Sequence, residues 1–209
     1  MSEPYSTDDD AGLVALSQQG DLEAFEQLVQ KYQKRMFNLA FRIAGDQEDA
    51  SEIVQDAFVA AFRNIGKFRG ASRFTTWLTT ITINHARNRL KQVRSRLTHE
   101  VNSLDDPIEQ EDGSIMADPP SKAASVLDQL EQRDLRKKVQ DCIAALEPDF
   151  REVIVLRDLQ EFSYDEIGMM LKVAAGTVKS RLFRARDSVK DCLKRAFNSG
   201  AAQGVHHGP

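Results

Sequence analysis

The sequence predicts an all-α protein: two small helical domains joined by a flexible acidic linker. Three observations lead there. Apolar residues recur at three- and four-residue steps in both halves of the chain, helix-starting and helix-stopping residues bound those runs, and a stretch rich in acid, proline and glycine separates the halves. The boundaries are residues 1–95 for the first domain, 96–122 for the linker, 123–197 for the second domain and 198–209 for a disordered tail.

A short helix is expected near Ala11 to Gln18. Asp21 is a good N-cap for the next, whose apolar face is Phe25, Leu28, Val29, Tyr32, Met36, Leu39, Ala40 and Ile43. Gly45 ends it and Asp46 starts another, with Ala50, Ile53, Val54, Ala57, Phe58, Ala61, Phe62 and Ile65 forming a broad apolar face that stops near Gly66. A further helix begins around Ser72, with Phe74, Trp77, Leu78 and Ile81 on one side. Phe25, Phe58 and Phe62 are read as core. In the second half Leu127 to Leu146 is helical, and Pro148 opens a helix carrying Phe150, Val153, Ile154 and Leu156. Ser163 and Glu166 have the spacing of a capping box, Ser at N-cap and Glu at N3, opening a helix with Ile167, Met170 and Leu171. A turn over Lys172 to Gly176 leads into a basic helix from about Thr177 to Arg195, whose apolar side is Val178, Leu182, Ala185, Val189 and Leu193. Two helices joined by a tight, glycine-containing turn make a helix-turn-helix pattern in the C-terminal domain.

The composition, 41% hydrophobic and 29% charged, is that of a globular chain, and no apolar run is long enough to span a bilayer. Membrane insertion is therefore not expected. The N-terminus is acidic where a secretory signal would be basic and then apolar, so a cytoplasmic location is expected. Cys142 and Cys192 lack metal-site spacing and are expected as buried free thiols in a reducing compartment. His206 and His207 fall in the expected tail and are not read as ligands.

The net charge of −4 hides a strong pattern. From Ala57 to Arg96 there are nine basic residues and no acid, from Leu97 to Ser121 seven acids and no base, and from Lys172 to Arg195 eight bases against Asp187 and Asp191. Two cationic blocks flank an anionic one, and a polyanion responds to such local fields rather than to the average. Solvated helix faces are the plain alternative for either block alone. On the last helix, Lys179, Ser180, Arg181, Phe183, Arg184 and Arg186 lie beside or away from the apolar seam. Cations there can hold phosphates or guanine edges, and a phenylalanine can touch a thymine methyl. The earlier block interleaves rings with cations: Lys67, Phe68, Arg69, Arg73, Phe74 and Trp77 around Gly70, then Asn84, Arg87, Asn88 and Arg89. Such surfaces suit single strands, whose unstacked bases can lie on rings, and Asn84 can pair with an adenine edge. Phe74 and Trp77 are equally readable as core. A third feature is acidic: Asp49, Glu52 and Asp56, with Gln55 alongside, line one helix face and suit either a basic protein partner or water.

These residues together resemble the extracytoplasmic-function sigma factors of the bacterial sigma-70 family, particularly the proteobacterial envelope-stress type. The likeness runs through Asp49-Ala50-Ser51-Glu52-Ile53-Val54-Gln55-Asp56-Ala57-Phe58, Phe68-Arg69-Gly70, Trp77-Leu78, Ile83-Asn84, Ser163-Tyr164-Asp165-Glu166-Ile167 and Gly176-Thr177-Val178-Lys179-Ser180-Arg181-Leu182-Phe183-Arg184-Ala185-Arg186. It covers both domains, from about Asp21 to Arg195. The resemblance implies that Asp49, Glu52, Gln55 and Asp56 dock on the clamp helices of core RNA polymerase, with a further contact to its flap. It implies that Lys67, Phe68, Arg69, Arg73, Phe74, Trp77, Ile81, Asn84, Arg87 and Asn88 open the −10 promoter element and capture a flipped base. It assigns Thr177, Lys179, Ser180, Arg181, Phe183 and Arg184 to the −35 element of promoter DNA. The linker would thread the polymerase interior, where its acidity mimics nucleic acid, and an anti-sigma factor is an expected partner. Lys179 stands where close relatives often carry arginine.

A two-domain helix-turn-helix regulator that binds duplex DNA unaided is the alternative. An enzyme is not expected: no nucleophile–base pair, metal cluster or phosphate-cradling glycine loop is visible, His85 and His99 are isolated, and Gly66 and Gly70 form no nucleotide motif. No cofactor is expected.

Overall fold

The computed structural model describes residues 9–101 and 126–202. The chain divides into two compact units, Met1–Glu111 and Asp112–Pro209, so the division falls inside the expected linker. Residues 102–125 and 203–209, most of that linker and the histidine-bearing end of the tail, lie outside the described residues.

The first unit contains α1 (Asp9–Gln18), α2 (Leu22–Ala44), α3 (Gln47–Asn64), a 3-10 turn (Ile65–Lys67) and α4 (Phe74–Val101). Asp21 caps α2 by accepting from the Ala24 amide, and Asp46 caps α3 by accepting from Asp49. Between them Gly45 closes α2, its amide donating to the Phe41 carbonyl. The core is formed where α2, α3 and α4 meet. Leu28, Met36, Leu39 and Ile43 come from α2, and Phe74, Leu78, Ile83 and Ala86 from α4. α3 contributes Ile53 but also Ala50, Ala57 and Ala61, all fully buried; these small side chains let its neighbours come close. Phe62 departs from the core reading. It is 42% exposed, set edge-on to Phe25 at 5.0 Å, because the buried face of α3 is narrower than its apolar sequence suggests. α4 continues to Val101, six residues past the expected domain end at 95, through good helix formers such as Leu90, Lys91, Gln92 and Arg94.

The second unit contains α5 (Val126–Ala144), α6 (Pro148–Ile154), a wider π-type turn (Val155–Leu159), α7 (Tyr164–Leu171) and α8 (Ala175–Ala202). Pro148 occupies the first turn of α6, where its missing N–H costs no helical bond. Arg151 is buried there and donates to the carbonyls of Ala144 and Leu146, tying down the end of α5. The capping box forms as expected: Ser163 accepts from the Glu166 amide at 3.2 Å, and the Glu166 carboxylate accepts from the Ser163 amide at 2.9 Å. Val178, Leu182 and Ala185 of α8 complete a core with Val153, Leu156, Phe162, Ile167 and Met170. α8 runs through the first residues of the expected tail, as far as Ala202.

Two expectations are corrected in this unit. Cys142 and Cys192 are not free thiols but form a disulfide between α5 and α8, with Cα atoms 5.7 Å apart. A separation of fifty residues says nothing about whether two helices cross, so sequence spacing alone could not pair them. The turn between α7 and α8 also works differently. Gly176 lies inside α8, and the left-handed residue is Lys172 at φ 56°. The glycine that matters is Gly168 of α7, where a Cβ would stand 2.8 Å from the Val173 carbonyl oxygen. Gly168→Ala should therefore destabilise the second unit by about 1–3 kcal/mol, the ordinary cost of overpacking, read as a lower urea midpoint at unchanged slope. Lys172→Gly should raise that midpoint, since it relieves a left-handed backbone that costs a side-chain-bearing residue about 1 kcal/mol.

Candidate nucleic-acid interface

In the first unit the inward positions of α4 are Phe74, Leu78, Thr82 and Ala86, one every four residues, with Thr79 and Ile83 beside them. Burying that seam fixes the rest of the helix. Trp77, Ile81, Asn84 and Asn88, at steps of four, three and four, form a second stripe; Trp77 and Ile81 are half-buried, Asn84 and Asn88 exposed. Over eleven residues it runs about 16 Å along the helix.

The stripe begins at a cluster of rings. Phe74 is 3% exposed and touches Tyr32 at 5.7 Å, Phe68 at 6.0 Å and Trp77 at 5.8 Å. It is a packing ring, which corrects its place among the base-contacting candidates: a base cannot reach a buried face. Phe68 and Trp77, 5.2 Å apart, are the half-exposed members it supports. Arg69 and Arg73 stand exposed on the loop between them. Gly70 adopts φ 68° there with open space around it, so its requirement is conformational rather than steric. Lys67 donates to the Asn64 side chain at 3.0 Å. Arg87 is half-buried on α4.

The loop is held by a residue that the sequence reading missed. The Gln18 side-chain amide, at the end of α1, donates to the carbonyls of Ile65 at 3.0 Å and Phe68 at 2.7 Å. Asp10, at the other end of α1, binds Lys31 at 2.7 Å and the Tyr32 hydroxyl, securing α1 on α2. No sequence signal marks Gln18, because its partners are backbone atoms nearly fifty residues away.

The acidic face of α3 meets the basic side of α4. Arg89 Nε binds Asp49 Oδ1 at 2.6 Å and its Nη1 binds Glu52 Oε2 at 2.7 Å; His85 Nδ1 is 3.9 Å from Asp56. The hydrogen bond from Asp49 raises the Arg89 pKa above its usual value, burial opposes this, and the charges of Asp49, Glu52 and Asp46 add to the rise. A raised folded-state value keeps the guanidinium's stabilising contribution in full below the ordinary arginine range, and loses it only as pH climbs through the raised value. Asp49 is thus committed internally, Glu52 partly so, while Gln55 and Asp56 remain exposed.

In the second unit the buried seam of α8 turns Lys179, Ser180, Phe183 and Arg184 outward, and Phe183 is 75% exposed. Ser180 Oγ donates to the Thr177 carbonyl at 3.0 Å, and Thr177 is half-buried. The cations of this helix divide into two sets. Arg181 binds Asp149 of α6 at 2.5 Å and is only 23% exposed, whereas Arg186 binds Asp158 of the π-type turn through Nε at 2.9 Å and Nη2 at 2.6 Å. These two arginines brace α8. Lys179 lies over the Tyr164 ring at 5.5 Å, and Arg157 approaches the same ring at 4.9 Å. Lys179, Ser180, Phe183 and Arg184 thus form the outward set, on the N-terminal half of the second helix of a helix-turn-helix.

One unit presents a ring-and-amide stripe amid cations, and the other an outward cationic face on α8. Residues 28–96 match the family model for sigma-70 region 2, and residues 136–189 match that for sigma-70 region 4. The chain is similar to the RNA polymerase sigma-H factor of Pseudomonas aeruginosa, 34% identical over 186 residues that cover 88% of this chain and 94% of that one. It is also similar to the ECF RNA polymerase sigma-E factor of Escherichia coli K12, at 35% identity over 183 residues covering 86% and 92%. Its fold is shared with the sigma factor RpoE of Bartonella quintana, solved in complex with the anti-sigma factor NepR, at a TM-score of 0.63, 24% identity and coverage of 83% and 98%. The chain belongs to the sigma-70 family, in its extracytoplasmic-function branch.

Gln18→Ala should cost about 1 kcal/mol of stability, the usual worth of a hydrogen bond, and speed amide exchange at Phe68 and its neighbours. Unchanged exchange there would show that the loop holds its shape without Gln18.

Proposed function

We propose that this sigma factor directs core RNA polymerase to promoters by separating two tasks. The stripe from Phe68 and Trp77 to Asn84 and Asn88 takes hold of the opened −10 strand, and the outward set on α8 reads the −35 duplex. The observation that carries this is the stripe itself. Rings at its head offer stacking worth about 1–3 kcal/mol per base, and amides further along can form hydrogen bonds to base edges. An intact duplex gives those rings nothing to stack on, so the stripe suits strands already apart. On α8, Lys179 and Arg184 are the cations available for guanine edges or phosphates and Phe183 the ring available for a thymine methyl. Arg181 is kept as a brace that sets the helix in place.

Core polymerase is the proposed partner of the α3 surface, through the exposed Gln55 and Asp56 and the neighbouring Val59 and Phe62, each 42% exposed. Two large apolar side chains left in water beside an acid suit a protein partner better than a nucleic acid. An anti-sigma protein is a second proposed partner, supported by further exposed apolar side chains, Leu22 in the first unit and Met169 in the second, each at 66%. Weak contacts from two tethered units add, so the free protein binds DNA less well than its complex with polymerase does.

Run-off transcription with purified core polymerase over a promoter library, with and without the protein, tests this reading. A transcript that depends on the protein is expected. If no template yields one, or if duplex binding is equally tight without polymerase, the unaided regulator takes its place. Asn84→Ala should lower open-complex formation on the order of tenfold while leaving duplex capture intact. Lys179→Ala or Arg184→Ala should relax preference at single −35 positions by about 1–3 kcal/mol, seen as a flattened binding profile across variant sites. Asp56→Lys should weaken binding to core polymerase, and wild-type affinity would return that face to simple solvation.

A further inference from the structure

The Cys142–Cys192 bond joins α5 and α8 where burial along each helix gives way to exposure. Residues 132–137 of α5 are all exposed, and among the described side chains of that helix Gln140 is the first that is buried. Among the described side chains of α8 none beyond Ala185 is fully buried; Val189, Cys192, Leu193 and Ala196 are half-buried. Where the two helices meet, Lys138 Nζ also lies over the Phe197 ring at 5.1 Å, with Phe197 itself 48% exposed. Arg151 secures the far end of α5 through the carbonyls of Ala144 and Leu146, and just before it the sulfur bridge ties the helix to α8. A covalent link has the greatest effect where non-covalent packing is least.

We propose that Cys142 and Cys192 form a reversible thiol–disulfide site that responds to low-molecular-weight disulfides and clasps α5 to the distal half of the DNA-reading helix. The two sulfurs differ in access: Cys142 is 2% exposed and Cys192 is half-buried. The Cys192 thiolate attacks one sulfur of a small disulfide, forming a mixed disulfide and releasing one small thiolate. The Cys142 thiolate then attacks Sγ of Cys192 and expels the second. Two cysteine thiols lose two protons and two electrons, and one small disulfide becomes two thiols. With the bond closed, α5 and the end of α8 move as one; with it open, the first turns of α5 are free to detach. That the bond cycles in use rests on the role proposed above, since a protein working beside polymerase sits among reducing thiols, where disulfides are usually transient. The measurements that follow involve neither polymerase nor DNA, so they can fail while that role stands.

The full chain is equilibrated in glutathione buffers running from a cytosolic to an oxidising poise, trapped by acid and alkylation, and weighed intact. We expect a monomer lighter by two hydrogens, free of glutathione adduct, with Cys142 and Cys192 peptides joined and a midpoint inside the buffer range. The bonded form should melt about 10 °C or more above the reduced form and show slower amide exchange over residues 132–141. Reduction should reverse both, and Cys192→Ser should behave as the reduced wild type in every buffer. Persistence of the bond at the reducing end would make it structural and overturn the proposal. So would stable glutathione adducts, dimers alone, or equal melting and exchange in the two states. The comparison of wild type with itself in two buffers decides the matter even if a substitution at the buried Cys142 prevents folding.

Discussion

A helix that must bury one face has little choice about what it shows on the others, and this constraint governs both units. On α4 the seam Phe74, Leu78, Thr82 and Ala86 goes inward, so Trp77, Ile81, Asn84 and Asn88 must lie together on a flank. On α8 the seam Val178, Leu182 and Ala185 sends Lys179, Ser180, Phe183 and Arg184 outward. Core packing and the surface proposed for nucleic acid are thus one decision taken at a spacing of 3.6 residues. A shift of one residue in either seam would scramble the exposed stripe while leaving the composition untouched.

Carboxylates keep several of the cations in position. A guanidinium left on a flexible side chain is a diffuse charge; one paired with a carboxylate is a fixed strut. Arg89 joins α4 to α3 through Asp49 and Glu52, Arg181 joins α8 to α6 through Asp149, and Arg186 joins α8 to the π-type turn through Asp158. A solvent-exposed pair such as Arg186–Asp158 contributes little stability, of order 0–1 kcal/mol, so its value here is orientation. These pairings leave a smaller set of cations facing solvent than a count of the basic blocks suggests, and that smaller set is aimed.

Backbone detail serves the same end. Gln18 holds the turn that carries Phe68, Gly70 lets the loop reverse, and the buried Phe74 props Phe68 and Trp77 from beneath. In the second unit Gly168 lets the turn after α7 approach, which sets the angle at which α8 leaves. None of these residues belongs to the surfaces proposed for bases, yet each helps to set where those surfaces stand.

Much of this was legible in the residues alone. The helices, the Asp21 and Asp46 caps and the Ser163–Glu166 box were readable because they depend on neighbours within four positions. Both cationic blocks and the family likeness were readable because they are linear patterns. What the sequence could not settle were matters between residues far apart in the chain. Phe62 faces water and Phe74 does not, although both sit in apolar runs; Arg181 braces while Arg184 stays exposed, although both are arginines on one helix. The partner of Cys142, the hold of Gln18 and the pairing of Arg89 with the acids of α3 all arise only when helices distant in sequence come to lie side by side. Local periodicity determines which elements form, whereas their mutual contacts, decided by packing in three dimensions, determine what each side chain is free to do.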